Sequence, residues 1–168
     1  PVPPDLAGMV TRVTGYEEKG DALHLASEAA AMIVPLVISF SDPFEIALSR
    51  APTQAERYGS FTSGLHPGFV VINSTGAAQC VQIDFTPLGA HRFFGLPMWE
   101  ISGRMVTLDD LSDSGVMEFR DRLAEQNSWI ARLRLAVEFV RRRIRQNDTN
   151  LAAVSWAYER LVRGGGGM

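Results

Sequence analysis

Short apolar runs separated by turn residues fill the first half of the chain, and this pattern predicts β-strands. In residues 79–85, Val81, Ile83 and Phe85 share one face while Gln82 and Asp84 share the other, which is the alternation of a half-buried strand. Further strands are predicted at residues 9–16, 32–40, 44–48, 58–65 and 69–73. About six or seven short strands are enough for a small barrel or sandwich.

The strongest of these predicted strands, residues 32–40, contains a proline that restricts its place in a sheet. Pro35 lies inside it, and proline cannot donate a hydrogen bond to a neighbouring strand. The sequence therefore predicts either an edge position or a bulge for this strand.

The second half of the chain has the spacing of helices instead. Thr86 and Pro87 predict a helix start, with threonine as the N-cap and proline at the first helical position, and Gly95 predicts its end. Ser114 is expected to cap a second helix, reaching about residue 126. Strands followed by helices predict the α+β class, or a β-barrel with a helical extension.

Two more helices are predicted further along. Asn127 or Ser128 is expected to cap the longest helix, which reaches about residue 146 and carries a regular apolar stripe. Residues 151–162 predict a last amphipathic helix. By this division residues 1–86 form the β-part, residues 87–163 the helical part and residues 164–168 a flexible tail.

Composition narrows the function classes. A chain of 168 residues favours one domain, and its net charge of −3 argues against nucleic-acid binding by this piece itself. No apolar run approaches the roughly 18 residues of a membrane span, so no membrane partner is expected. The single cysteine, Cys80, excludes an intrachain disulfide and fits a cytoplasmic protein. A buried, inert thiol is the expected state of Cys80.

A family pattern runs through the middle of the chain. It consists of DFTPLGA at residues 84–90, FFGLP at residues 93–97 and RMVTLDDL at residues 104–111. Weaker pieces accompany it in order: ISF at 38–40, SF at 60–61, GLH at 64–66 and RLV at 160–162. Together they resemble the N-terminal sensor region of AraC-type (AraC/XylS) helix-turn-helix transcriptional regulators, over most of the chain.

The resemblance implies a fold and a function. It implies a small cupin-like β-barrel or jelly roll, followed by a C-terminal helical subdomain that couples to a DNA-binding domain. That DNA-binding domain is absent from this chain, so DNA would be reached only through the missing part. The expected role is effector sensing and dimerisation, with an unknown small-molecule effector and a homodimer. Residues 24–28 depart from the pattern, so ligand specificity is not carried over.

Candidate site residues follow from this hypothesis. Effector pockets are mostly apolar with a few polar anchors. We therefore expect ligand contacts from aromatic residues and from three polar ones: Phe40, Phe61, Phe93, Trp99, His66, Gln82 and Asp84. The apolar stripe of the longest helix could close the core or form a dimer seam: Trp129, Leu133, Val137 and Val140.

Two alternatives remain open at this point. A cupin-like enzyme would need converging metal ligands, but the three histidines are isolated and no H-x-H motif occurs. The adjacent carboxylates at residues 17–18 and 109–110 point apart in a strand or diverge on a helix. We therefore assign no catalytic residue, metal or cofactor and expect no enzyme activity. The second alternative is a protein-interaction module without a small ligand.

Overall fold

The computed structural model describes residues 2–20, 24–29, 31–147 and 160. Within them it contains nine strands and three α-helices, an α+β arrangement, together with 3-10 turns at Pro4–Leu6 and Met98–Glu100. The strands are β1 (Val10–Glu17), β2 (His24–Glu28), β3 (Val34–Ser39), β4 (Phe44–Leu48), β5 (Arg57–Tyr58), β6 (Phe61–Ser63), β7 (Val70–Ser74), β8 (Gln79–Phe85) and β9 (Met105–Thr107). The helices are α1 (Pro87–Phe94), α2 (Ser114–Ala124) and α3 (Trp129–Gln146).

The strands form two antiparallel sheets. Sheet 1 has the order β1-β8-β3-β6-β9, and sheet 2 has the order β2-β7-β4-β5. The pairs nest inside one another: β4 pairs with β5, β3 with β6, β2 with β7 and β1 with β8. Within the described residues the strand pairing does not close into a single barrel, since each sheet keeps its own two edges.

Sheet 1 is the middle layer of the fold. Val81, Ile83 and Phe85 of β8 are fully buried and belong to the main core, together with apolar side chains of α1, α2 and α3. Cys80, on the opposite face of β8, belongs to a smaller cluster with Phe44 of sheet 2. The alternation predicted for β8 thus separates a helix-facing side of sheet 1 from a side that faces sheet 2.

Local capping explains where the helices begin. Thr86 Oγ1 accepts from the Gly89 amide at 3.0 Å, and Gly95 ends α1 with a φ of 68°, which confirms both predicted ends. Ser128, one of the two predicted caps, is the N-cap of α3. The cap predicted for α2 is wrong by one residue: Asp113, and not Ser114, is the N-cap. Its Oδ1 accepts from two backbone amides of the first turn, at 3.1 and 3.2 Å.

One arginine ties the three helices together. Arg143 of α3 donates from Nε to the Phe93 carbonyl oxygen at the end of α1, at 2.7 Å. The same guanidinium forms an ion pair with Asp113 at the start of α2. Stacking of Phe119 on Phe139, with ring centroids 4.0 Å apart, adds a direct contact between α2 and α3.

The proline in β3 contradicts the sequence expectation. β3 lies between β8 and β6, so it is not an edge strand, and its register with β8 continues without a shift across Pro35. Its pairing with β6 covers only Leu36 and Val37. Pro35 therefore lies just beyond that ladder, and its carbonyl accepts from Thr62 Oγ1 at 2.8 Å. The missing N–H of proline has no ladder partner to lose there.

Some sequence predictions fall elsewhere. The helix predicted at residues 151–162 lies outside the described residues except for residue 160, and the tail at 164–168 lies outside them entirely. No helix in the described ranges combines the length and the apolar character needed to cross a membrane.

Candidate ligand-binding cavity

A cavity of about 380 Å³ lies between the two sheets. Other depressions at the described surface, along α3 and beside His66, are more open to solvent. We call the less open one, between the sheets, the inter-sheet cavity. From sheet 1 and its flanking loop it is lined by Arg12, Thr14, Tyr16, Glu18, Val37, Phe61, Cys80 and Gln82, and from sheet 2 by Glu28, Phe44, Ile72 and Ser74.

The register of β1 on β8 explains one wall of the cavity. Thr14 lies opposite Gln82 and Tyr16 opposite Cys80, and all four side chains line the space. Because alternate residues of a strand share a face, Arg12 continues this row toward one end. At about 3.3 Å per residue, the row from Arg12 to Tyr16 extends about 13 Å along β1.

A buried carboxylate organises the Arg12 end of this wall. Asp84 is 2% exposed and accepts from Arg12 Nε at 2.6 Å and from Gln82 Nε2 at 2.8 Å. Gln82 therefore keeps its Oε1 as an acceptor on the cavity wall. Arg12 makes no other side-chain hydrogen bond within the described part of the chain, so its two Nη groups remain donors. Arg12 and Gln82 therefore offer hydrogen-bond donors and an acceptor, in positions that Asp84 fixes.

A second carboxylate organises the opposite end. Tyr16 OH donates to Glu18 Oε1 at 2.7 Å, and Ser74 Oγ donates to the same oxygen at 2.6 Å. The Ala78 amide donates to Glu18 Oε2 at 3.1 Å. The hydrogen bond to Glu18, with burial and the charge of that carboxylate, raises the pKa of Tyr16 to about 12. Tyr16 is therefore a neutral phenol that is held as a donor.

The middle of the cavity is apolar. Phe61 meets Phe44 and Tyr58 edge-to-face, with centroid distances of 6.2 and 6.1 Å. Cys80 is 3% exposed, and burial, with the nearby charge of Glu18, raises the pKa of its thiol to about 12. The thiol therefore stays protonated at neutral pH, which agrees with the inert, buried state expected from the sequence.

Three of the seven predicted ligand contacts come together at this cavity. Phe61 and Gln82 line it directly. Asp84 lies behind the wall, where it positions Gln82 and Arg12.

The other four predicted residues lie elsewhere. The Arg132 guanidinium carbon lies 4.9 Å from the ring centroid of half-buried Phe40. His66 Nε2 lies 2.7 Å from Ser49 Oγ beside a separate surface depression. Phe93 is fully buried in the helical core, where its ring centroid lies 4.8 Å from that of Phe85, and Trp99 is 76% exposed on the 3-10 turn.

Sequence reasoning missed most of the cavity wall. Arg12, Thr14 and Tyr16 alternate in sequence, and that spacing alone would have placed them on one face of β1. No sequence spacing indicated that Glu28 and Ser74 lie on the cavity wall, because only the pairing of β2 with β7 brings those strands together.

Helix α3 lies against the other face of β1. A Cβ on Gly15 would stand 2.5 Å from Cε3 of Trp129, and Trp129 Nε1 donates to Glu17 Oε2 at 3.3 Å. Of the residues predicted for a dimer seam, Trp129 and fully buried Val140 are thus engaged inside the domain. Leu133 and Val137 are half-buried and line a surface depression on α3.

No group of three or more His, Cys, Asp or Glu side chains that could hold a metal ion occurs among the described residues.

Comparison with known proteins adds no family assignment: no family model, curated protein or solved structure matches the chain.

Proposed function

We propose that this chain is the effector-sensing and dimerising domain of an AraC-type transcriptional regulator, and that its effector is a small molecule bound in the inter-sheet cavity. The cavity is the observation that carries the proposal. Its volume of about 380 Å³ falls within the usual range of small-molecule sites, about 300–1,000 Å³. Its apolar middle and few positioned polar groups are the features that such sites share.

The strand pairing supports a cupin-like jelly roll as the fold of this domain. An antiparallel hairpin of eight strands that rolls up on itself pairs the first strand with the eighth, the second with the seventh and so on inward. All four of these nested pairs occur here, and the roll adds the contacts of β8 with β3 and of β7 with β4. Such a fold consists of two packed sheets around a common interior.

β1 is the element that would transmit effector binding. One of its faces carries Thr14 and Tyr16 into the cavity, while Gly15 and Glu17 contact Trp129 of α3 on the other. A ligand that shifts β1 by a fraction of an ångström would therefore move the start of α3. Such a ligand changes the populations of two states only if it binds one of them more tightly.

The outer side of α3 is the proposed dimer surface. Ile130 is 73% exposed, and Leu133 and Val137 follow it at helical spacing. Val137 also packs partly against the main core, as Trp129 does, so the stripe runs along the edge of the contact between α3 and β1. A two-fold dimer would place the stripe of one copy on that of the other.

A reporter experiment tests dimerisation. The chain is fused to a DNA-binding domain that represses its reporter only as a dimer. We expect repression, and we expect Ile130→Glu to abolish it. Ala124→Glu, which places the same charge on an exposed site of α2, should leave repression intact. Full repression by the Ile130→Glu fusion would overturn the proposed dimer surface.

Native mass spectrometry of the purified chain, with a thermal-shift screen of small molecules, tests sensing. We expect at least one compound to bind and to raise the melting temperature. Ile72→Trp should block it by filling the cavity, whereas Val71→Trp, on the outer face of the same strand, should not. Equal binding by the two variants would contradict binding in the inter-sheet cavity.

A further inference from the structure

One carboxylate fixes the orientation of two polar side chains on the wall of the inter-sheet cavity. Asp84 Oδ1 accepts from Gln82 Nε2 at 2.8 Å, and Asp84 Oδ2 accepts from Arg12 Nε at 2.6 Å. Because an ionised carboxylate only accepts hydrogen bonds, it holds the amide nitrogen of Gln82 and turns the amide oxygen away from itself. The two side chains meet the two oxygens of one carboxylate, so they are neighbours on the wall.

This arrangement places an acceptor beside donors at the surface of the cavity. Within the described residues, neither Gln82 Oε1 nor the Nη groups of Arg12 make a further hydrogen bond, and both residues line the cavity. Asp84 matches the charge of Arg12, so the three side chains together offer directed hydrogen bonds without a net charge. The complementary group on a ligand has an N–H beside a C=O.

An apolar surface continues from Gln82 across sheet 1. The strand register pairs Gln82 with Val37 of β3, and Val37 with Phe61 of β6, and all three residues line the cavity. Two strand spacings, about 10 Å, separate Gln82 from Phe61. Phe44 of sheet 2 meets Phe61 edge-to-face and lines the same space. A two-ring ligand along this row would bury its apolar part against Val37 and Phe61 while its polar edge meets Gln82.

We propose that the inter-sheet cavity selects a cyclic secondary amide, in which a ring N–H lies beside a C=O, fused to an apolar ring. This inference rests on the proposed function, since it names the chemical class of that effector. The ligand N–H would donate to Gln82 Oε1, and the ligand carbonyl oxygen would accept from an Nη group of Arg12. Inside a ring the N–H and C=O of a secondary amide point to the same side, so both hydrogen bonds form together.

Isothermal titration calorimetry of the full chain with three ligands of similar outline tests the inference. The ligands are 2-quinolone, coumarin and N-methyl-2-quinolone, and all three keep the carbonyl group. Coumarin has a ring oxygen in place of the N–H, and N-methyl-2-quinolone has a methyl group on that nitrogen. We expect 2-quinolone to bind about tenfold more tightly than coumarin, because coumarin leaves Gln82 Oε1 without a donor. N-methyl-2-quinolone should bind most weakly, since its methyl group would meet that oxygen.

Three variants locate the source of the preference. Gln82→Met keeps the length of the side chain but removes the acceptor, so it should largely abolish the preference for 2-quinolone over coumarin. Gln79→Met, on the other face of the same strand, should keep the preference. Arg12→Lys keeps a positive charge for Asp84 but lacks the Nη groups, so it should weaken both ligands and leave their ratio unchanged.

The possible outcomes separate this inference from the function on which it rests. If coumarin binds the wild type as tightly as 2-quinolone, the inference is overturned while ligand binding by the cavity stands, and this comparison does not depend on any variant folding. An unchanged preference in a folded Gln82→Met variant, or unchanged affinities in Arg12→Lys, would also overturn it. If none of the three ligands binds, the inference fails, whereas the proposed sensing function fails only if the wider thermal-shift screen is empty as well.

Discussion

Gly15 and Trp129 are in direct contact: a Cβ on Gly15 would stand 2.5 Å from Cε3 of the indole ring. Glycine is thus required here by the space available, since only a residue without a side chain lets α3 lie this close to β1. The contact joins the strand that lines the inter-sheet cavity to the helix that carries the proposed dimer surface.

Gly15→Ala should therefore destabilise the domain. Inserting a methyl group into a filled contact costs about 1–3 kcal/mol, because the indole ring or the backbone must shift. Urea unfolding followed by circular dichroism measures the change. Gly59→Ala is the matched control, as nothing lies within 4 Å of a Cβ at that position. Equal midpoints for the two variants would show that the Gly15–Trp129 contact is not close.

Asp84→Asn should weaken both the fold and the cavity wall. The variant removes the charge that accepts from Arg12 and Gln82 in a site only 2% exposed. A hydrogen bond to a charged group contributes about 1.5–3 kcal/mol, so a loss of that order is expected in urea unfolding. Asp109→Asn, at an exposed position, is the control. Unchanged stability of Asp84→Asn would mean that Asp84 does not organise this wall.

Tyr16 should titrate far above an ordinary tyrosine. Its pKa of about 12 exceeds the unperturbed value of about 10, so the neutral phenol is favoured in the folded state. The associated stability is present below about pH 10 and is lost as the pH rises toward the folded-state pKa. Ultraviolet titration of the phenolate should show a late transition, which Tyr16→Phe removes and Tyr58→Phe keeps. Glu18→Gln should lower its midpoint, and a midpoint near pH 10 in the wild type would contradict the Glu18 hydrogen bond.

The Asp113–Arg143 pair should produce a loss of stability in acid. Burial by itself would raise the pKa of Asp113, but the hydrogen bond and charge of Arg143, with two backbone amides, lower it overall. Its contribution is therefore present above the unfolded-state pKa of about 4 and is lost as the pH falls through the lower folded-state value.

Melting temperatures between pH 7 and pH 3 measure this effect. Asp113→Asn keeps an oxygen that can cap α2 but removes the charge, so it should be less stable at pH 7 and should lose less on acidification. Asp121→Asn, an exposed position on the same helix, should follow the wild type. Parallel curves for the wild type and Asp113→Asn would contradict the prediction.

The features that were predicted correctly depend only on residues close together in the sequence. The alternation of β8 and the N-caps at Thr86 and Ser128 are local patterns, and the structure has all three. The prediction for Pro35 was wrong because the effect of its missing N–H depends on how far β3 pairs with β6. The sequence of residues 32–40 does not indicate the length of that pairing.

The candidate site depended more on distant pairing. Phe61 and Phe93 are both large aromatic residues in apolar surroundings, yet one faces sheet 2 and the other the helices. Glu28 reaches the cavity only because β2 pairs with β7, about forty residues further along the chain. The resemblance to AraC-type regulators suggested a cavity in this half of the chain but not its wall.

The most direct test follows backbone and indole N–H signals by nuclear magnetic resonance during titration with a compound that binds in the thermal-shift screen. A ligand bound between the sheets should change the surroundings of α3 through β1. We therefore expect the amides of Thr14, Tyr16 and Gln82 and the Trp129 indole N–H to shift together, with one saturation curve. Cavity amides that shift while the Trp129 signal stays fixed would contradict the coupling, and shifts confined to the outer surface would contradict the site.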